Sequence, residues 1–119
     1  MICIPTVNAK RAYVPGVECA PVVNPAYTAN GRISKRANAI ILQNAGDCDI
    51  IIEGGYTLFP KGTLMFGEYN SLNVIKLDTS FSFQPDTSPD PENPVQRLEL
   101  IEIITSIKGR GYYIDQPDN

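Results

Sequence analysis

The chain has 119 residues, 43% of them apolar and 19% charged, with a formal net charge of −3. That length and composition suit one folded domain with a core of its own. It contains no histidine, which excludes a Ser-His-Asp triad, a Cys-His dyad and any histidine-built zinc site.

Residues 1–36 carry five basic residues against Glu18 alone, a net +4, while residues 37–119 carry five basic and twelve acidic residues, a net −7. Pro5, Pro15, Pro21 and Pro25 punctuate the basic part. Each removes a backbone donor and disfavours helix for itself and its predecessor. Ile2, Val7, Tyr13, Val14, Val17, Val22, Val23 and Tyr27 make the same stretch too apolar for a disordered linker. Residues 1–35 are therefore expected to be an extended N-terminal arm that lies on other polypeptides and contributes one or two edge strands, and residues 36–119 to be the folded domain.

From Arg36 to Phe83, short apolar runs alternate with turn residues. Ala37 to Gln43 is a run, broken at Asn44-Ala45-Gly46-Asp47. Cys48 to Ile52 follows and is broken at Gly54-Gly55. Tyr56 to Phe59 follows and is turned by Pro60-Lys61-Gly62 into Thr63 to Phe66. Such runs, rich in Ile, Thr, Tyr and Phe and bounded by Gly, Pro, Asn and Asp, predict antiparallel strands and hairpins. Alternation places Ile40 and Leu42 on one face and Ala39 and Ile41 on the other, and it sets Cys48, Ile50 and Ile52 against Asp49, Ile51 and Glu53. Ile75 and Leu77 oppose Leu72 and Val74, and Phe81 and Phe83 alternate with Ser82 and Gln84. Several strands are apolar on both faces, so both faces need covering.

Residues 86–94 hold three prolines and three acids and predict an exposed, mobile loop. Residues 95–107 are rich in β-branched side chains and predict a long strand. In it Leu98 and Leu100 share one parity while Ile101, Ile103, Thr105 and Ile107 share the other, so a β-bulge is expected between Leu100 and Ile101. Gly109-Arg110-Gly111 separates this strand from a short tail.

No residue set spells out a chemistry. Asp47 and Asp49 share one strand face and fit a hard cation in principle, although a solvated turn is the plainer account. Asp86, Asp90 and Glu92 are spread apart by prolines. Lys108-Gly109-Arg110-Gly111 lacks the spacing of a phosphate loop. Lys10-Arg11 and Lys35-Arg36 are doublets in an acidic chain, short of a nucleic-acid footprint; contact by the basic arm is a minor expectation. Tyr112 and Tyr113 suit packing better than sugar stacking. Cys3, Cys19 and Cys48 are odd in number, match no zinc or redox spacing, and are expected to be reduced thiols without an intramolecular disulfide. Cys48 is in phase with Ile50 and Ile52 and is expected in the core. Neither a secretory signal nor a membrane span is expected.

The stretch of residues 38–67 resembles a pattern in small bacteriophage virion proteins. A strand ends in Asn44-Ala45-Gly46, an alternating run leads to Gly54-Gly55, and Leu58-Phe59-Pro60-Lys61-Gly62 turns into a strand ending Phe66-Gly67. The resemblance covers about a quarter of the chain. It implies a β-sandwich subunit of a capsid, neck or tail, with no catalytic residues to carry over.

The expectation is thus an all-β protein, an antiparallel β-sandwich of jelly-roll or Ig-like type with an N-terminal arm. It would act by packing, as a structural subunit of a virion assembled after synthesis in a host cytoplasm. Its partners would be copies of itself and other virion proteins, without membrane, enzyme activity, cofactor or metal. The +4 arm and the −7 body would steer association. Interface residues are expected among Tyr13, Val14, Val22, Val23, Tyr27, Ile41, Ile51, Tyr112 and Tyr113. The alternative is a carbohydrate- or receptor-binding module, which needs exposed aromatics in a concave site.

Overall fold

The computed structural model describes residues 9–14, 16–107 and 112–117, with side chains over residues 16–107. The strands are β1 (Ala9–Val14), β2 (Val17–Val23), β3 (Gly31–Ala37), β4 (Ala39–Asn44), β5 (Asp49–Ile52), β6 (Tyr56–Leu58), β7 (Thr63–Gly67), β8 (Ile75–Gln84), β9 (Leu98–Ile107) and β10 (Tyr112–Pro117). A 3-10 turn spans Pro85–Thr87.

Their pairing is nested: β5 with β6, β4 with β7, β3 with β8, β2 with β9 and β1 with β10. Residues 19–105 run as one long antiparallel hairpin whose tip is Glu53-Gly54-Gly55. Both tip glycines have φ near +90° (96° and 90°), a conformation that L side chains resist. Folding the ribbon back brings β9 against β4 and β8 against β5. Two four-stranded sheets result, β2-β9-β4-β7 and β3-β8-β5-β6. Nested pairs wrapped into two sheets in this order make a jelly roll, so of the two sandwich types expected this is the one found.

Strand faces follow the alternation of the sequence. Ile33 and Ala37 of β3, Ile40 and Leu42 of β4, Cys48, Ile50 and Ile52, Leu58, Leu77, Phe81 and Phe83 of β8, and Leu98 and Leu100 of β9 form one buried cluster. Burial of each Ile, Leu or Phe contributes about 1.5–3 kcal/mol. Phe81 is the aromatic hub. Its ring meets Tyr27 edge-on at 5.1 Å and Phe83 edge-on at 5.8 Å.

Two expectations are corrected. The arm foreseen over residues 1–35 does not stay apart from the body along its length. Residues 17–23 form β2, an edge of one sheet, and residues 31–37 form β3, an edge of the other. The prolines allow this because an edge strand needs only half of its donors. Pro21 sits within β2 and Pro25 in the connection to β3. The chain divides into two compact units, Cys19–Thr105 in one and Met1–Glu18 with Ser106–Asn119 in the other. The β1–β10 ladder lies in the second, with Tyr13 opposite Tyr113 and Val14 opposite Tyr112.

The bulge expected in β9 is also absent from its ladder with β4, which runs unbroken from Leu98↔Asn44 to Ile103↔Ala39. The parity change in the sequence arises because β9 is buried on both faces. Leu98 and Leu100 fill the core, while Ile103 and Thr105 are buried on the opposite side. The extra residue lies on the other partner. Asn24 N–H bonds the Leu100 carbonyl and Tyr27 N–H the Leu98 carbonyl, so three steps along one chain span two along the other, at Pro25.

Candidate interaction surface

The two sheets present unlike outer faces. On β3-β8-β5-β6, Arg32, Ser34, Arg36, Lys76, Asp78 and Ser80 are polar and largely solvated, and several pair among themselves. Arg32 Nε donates to Asp78 Oδ1 at 2.8 Å, and its guanidinium lies 3.5 Å from Glu53 Oε1. The same Glu53 oxygen accepts from the Ser80 hydroxyl at 2.9 Å and the Ser80 amide at 3.1 Å. These hydrogen bonds, the hydroxyl first, hold the Glu53 carboxyl below its ordinary range. This is a face built for water.

On β2-β9-β4-β7 the centre of the outer face is apolar. The register places Ile41 between Met65 of β7 and Ile101 of β9. Ile41 and Ile101 are half-buried, Met65 is 38% exposed, and Val22 and Val23 on edge strand β2 are exposed, Val23 at 72%. On one side of this row Gln43, Thr63 and Glu99 are polar, and Glu99 is paired with exposed Arg97 at 3.1 Å.

On the row's other side the surface is closed by local hydrogen bonding. Asn38, buried between β3 and β4, accepts from the Thr105 amide at 2.8 Å and donates to the Asn73 carbonyl at 2.8 Å. Cys19 Sγ lies 3.4 Å from Thr105 Oγ1 and accepts from the Asn70 amide at 3.3 Å. The β7–β8 connection is thus tied down, with Tyr69, Leu72 and Val74 exposed along it.

Of the expected interface residues, Val22, Val23 and Ile41 fall on or beside this face, whereas Ile51 lies half-buried on the polar sheet. Tyr27 is taken up by the chain's own core, against Phe81. The side chains of Tyr13, Val14, Tyr112 and Tyr113 lie outside the described residues, as do Cys3 and Lys108 to Gly111. Met65 and Ile101 were not among the expected interface residues, because their neighbours across the sheet come from strands far away in sequence.

Of the acidic candidates, Asp47 uses its carboxylate, and Asp49 its main-chain amide, to hold the neighbouring loop. Asp47 Oδ1 accepts from the Val95 amide at 2.8 Å, and the Asp49 amide donates to Thr87 Oγ1 at 2.7 Å. These bonds pin the proline-rich loop, which is mostly exposed but buries Ser88. Among the described residues no group of three or more His, Cys, Asp or Glu side chains is placed to hold a metal ion. Lys35 donates to Asn24, which donates to Glu102 at 2.9 Å; this polar chain links β3 to β9. Cys48 is fully buried, and burial, with the Asp47 carboxylate next in weight, pushes its thiol pKa up.

Comparison of the chain with protein-family models, with curated proteins and with solved structures finds no match.

Proposed function

We propose that this protein is a structural subunit of a symmetric protein assembly, and that the assembly is a bacteriophage particle. The observation that carries the proposal is the contrast between the two outer faces. One sheet is solvated and internally ion-paired, while the other presents Met65, Ile41 and Ile101 in a row that ends near Val22 and Val23. An apolar sheet centre beside a polar rim suits burial against another protein. The jelly roll serves viral capsids and lectins alike, so the fold by itself does not choose between them. The phage assignment rests on the pattern of residues 38–67.

The test is the mass of the protein by light scattering, with negative-stain images of the same sample. A ring, trimer or larger closed species that dissociates on Ile41→Glu or Ile101→Lys supports the proposal. A wild-type monomer that binds glycans in an array would replace it with the carbohydrate-binding alternative.

A further inference from the structure

We infer that β7 is a self-pairing edge: in the assembly it meets β7 of a second copy about a two-fold axis through Met65, joining two β2-β9-β4-β7 sheets into one continuous sheet. The inference rests on the subunit reading above and names one of its interfaces.

An edge strand exposes unpaired N–H and C=O groups, and proteins usually blunt it with charge, proline or shortness. Of the four edges of the two sheets, three are blunted. β2 contains Pro21, β3 carries Arg32, Lys35 and Arg36, and β6 has three residues. β7, Thr63-Leu64-Met65-Phe66-Gly67, has neither charge nor proline. Self-pairing of β3 would set cations across from cations, which costs stability. Self-pairing of β7 sets none.

The hydrogen-bond phase of β7 favours the same partner. The Asn44 amide bonds the Gly62 carbonyl at 3.0 Å, and the β4–β7 register continues from there with Leu42↔Leu64 and Ile40↔Phe66. Because bonded pairs alternate with non-bonded ones, Thr63, Met65 and Gly67 turn their main-chain groups outward. No other described residue takes these groups. A two-fold axis at Met65 puts Met65 opposite its own copy and Thr63 opposite Gly67 of the second copy, so outward groups meet outward groups.

Side chains fit the axis as well. Leu64 lies opposite Phe66 of the second copy, and both are half-buried against the core from its open edge. Met65 extends the apolar row of Ile41 and Ile101 into that of its neighbour. Residue 62 falls opposite residue 68, so exposed Lys61 at one end lies beside exposed Glu68 of the second copy, twice over. Neither forms an ion pair with another described residue.

The test is sedimentation velocity and light scattering on the full chain. Met65→Pro removes an outward donor only, which an edge strand tolerates. It is expected to lower the mass of the assembly by breaking one class of contact while leaving the far-UV spectrum and melting midpoint near wild type. Should that variant fail to fold, Met65→Lys makes the same test with the donor kept. Lys61→Glu should weaken association by up to about fivefold per pair, and adding Glu68→Lys should restore it. If Met65→Pro or Met65→Lys is folded and keeps the wild-type mass, the edge pairing is overturned while the subunit reading stands. Loss of affinity without rescue in the double variant overturns the two-fold register. A wild-type monomer at every soluble concentration overturns both proposals.

Discussion

Asn44 is the residue whose loss should cost this fold most for its size. It is 1% exposed at the end of β4, and its side chain makes three bonds. Nδ2 donates to the Cys48 carbonyl at 2.8 Å and the Leu58 carbonyl at 2.9 Å, and Oδ1 accepts from the Gly46 amide at 3.0 Å. One side chain thus ties the β4–β5 turn to β6, in the other sheet. Asn44→Ala strands all three partners. The two carbonyls keep a second lone pair, so each loses roughly 1 kcal/mol, whereas the Gly46 N–H has no alternative and loses about 1–3 kcal/mol. The total is about 3–5 kcal/mol, against a whole-domain stability of roughly 5–15 kcal/mol. A chain of this length should then melt roughly 10–20 °C lower. Urea unfolding at pH 7 gives the number directly, with an unchanged m-value as the sign that the unfolded state is the same. Asn44→Asp supplies a second arm. A buried carboxyl facing two carbonyls is stabilised in its protonated form, so its folded pKa rises above the unfolded value. The variant should be closest to wild type below that unfolded value and lose stability as pH climbs through the folded one. A loss under about 1 kcal/mol for Asn44→Ala would refute the reasoning, because the three bonds would then be replaceable by water.

Gly46→Ala should destabilise by about 1–3 kcal/mol or more in the same urea assay. A Cβ there would stand 2.1 Å from the Val95 carbonyl oxygen and 3.0 Å from the Arg97 amide nitrogen, backbone atoms that can yield only by giving up the bonds of Ala45 and Asp47 to that segment. For Glu53, an NMR titration of the side-chain carboxyl should give a midpoint below 4.5, and Ser80→Ala should move it upward. The sign follows from the lowered folded value: the contribution is present above the unfolded pKa and is lost as pH falls through the folded one. Equal midpoints in the two proteins would show that Ser80 does not hold the carboxylate.

Period-2 alternation was enough to assign the inner faces of β4, β5 and β8, because burial of one sheet face is written locally in residues such as Ile40, Leu42, Ile50, Phe81 and Phe83. Partners across the sheets were not legible. The ladder of β4 with β9 joins residues about sixty positions apart, and nothing local to Ile41 names Ile101 as its neighbour. Asparagine misled for a related reason. In sequence Asn44 looks like a turn residue, since its side chain competes for backbone groups. Here it does that inside the core, where the groups it satisfies come from β6 as well as from its own turn. Asn38 is similar: a polar residue between two runs becomes the acceptor for the Thr105 amide. The prolines of the first thirty-five residues pointed to an arm because their cost to a ladder is plain, whereas the exemption of an edge strand depends on which edge the chain happens to occupy.

That exemption makes the extent of the N-terminal segment testable by two truncations. A chain starting at residue 17 and ending at residue 107 keeps all eight strands of the two sheets and should retain a cooperative transition. A chain starting at residue 31 loses β2 and Tyr27. β9 would then lack the ladder on one side, including the bonds from Asn24 and Tyr27 to Leu100 and Leu98, and Phe81 would lose an edge-on ring at 5.1 Å. Tyr27 is half-buried against the core, so its removal costs less than that of a fully buried aromatic, about 3–5 kcal/mol. Added to the lost ladder bonds at about 0.5–1.5 kcal/mol each, this approaches the whole stability of an ordinary domain. Far-UV spectra and thermal melts of the two products decide the matter. The longer chain should unfold cooperatively, and the shorter should be unfolded or aggregated at room temperature. If the chain starting at residue 31 instead melts like the full protein, β2 is an ornament on the sandwich and the arm extends through it, close to the boundary at residue 35 that the sequence suggests.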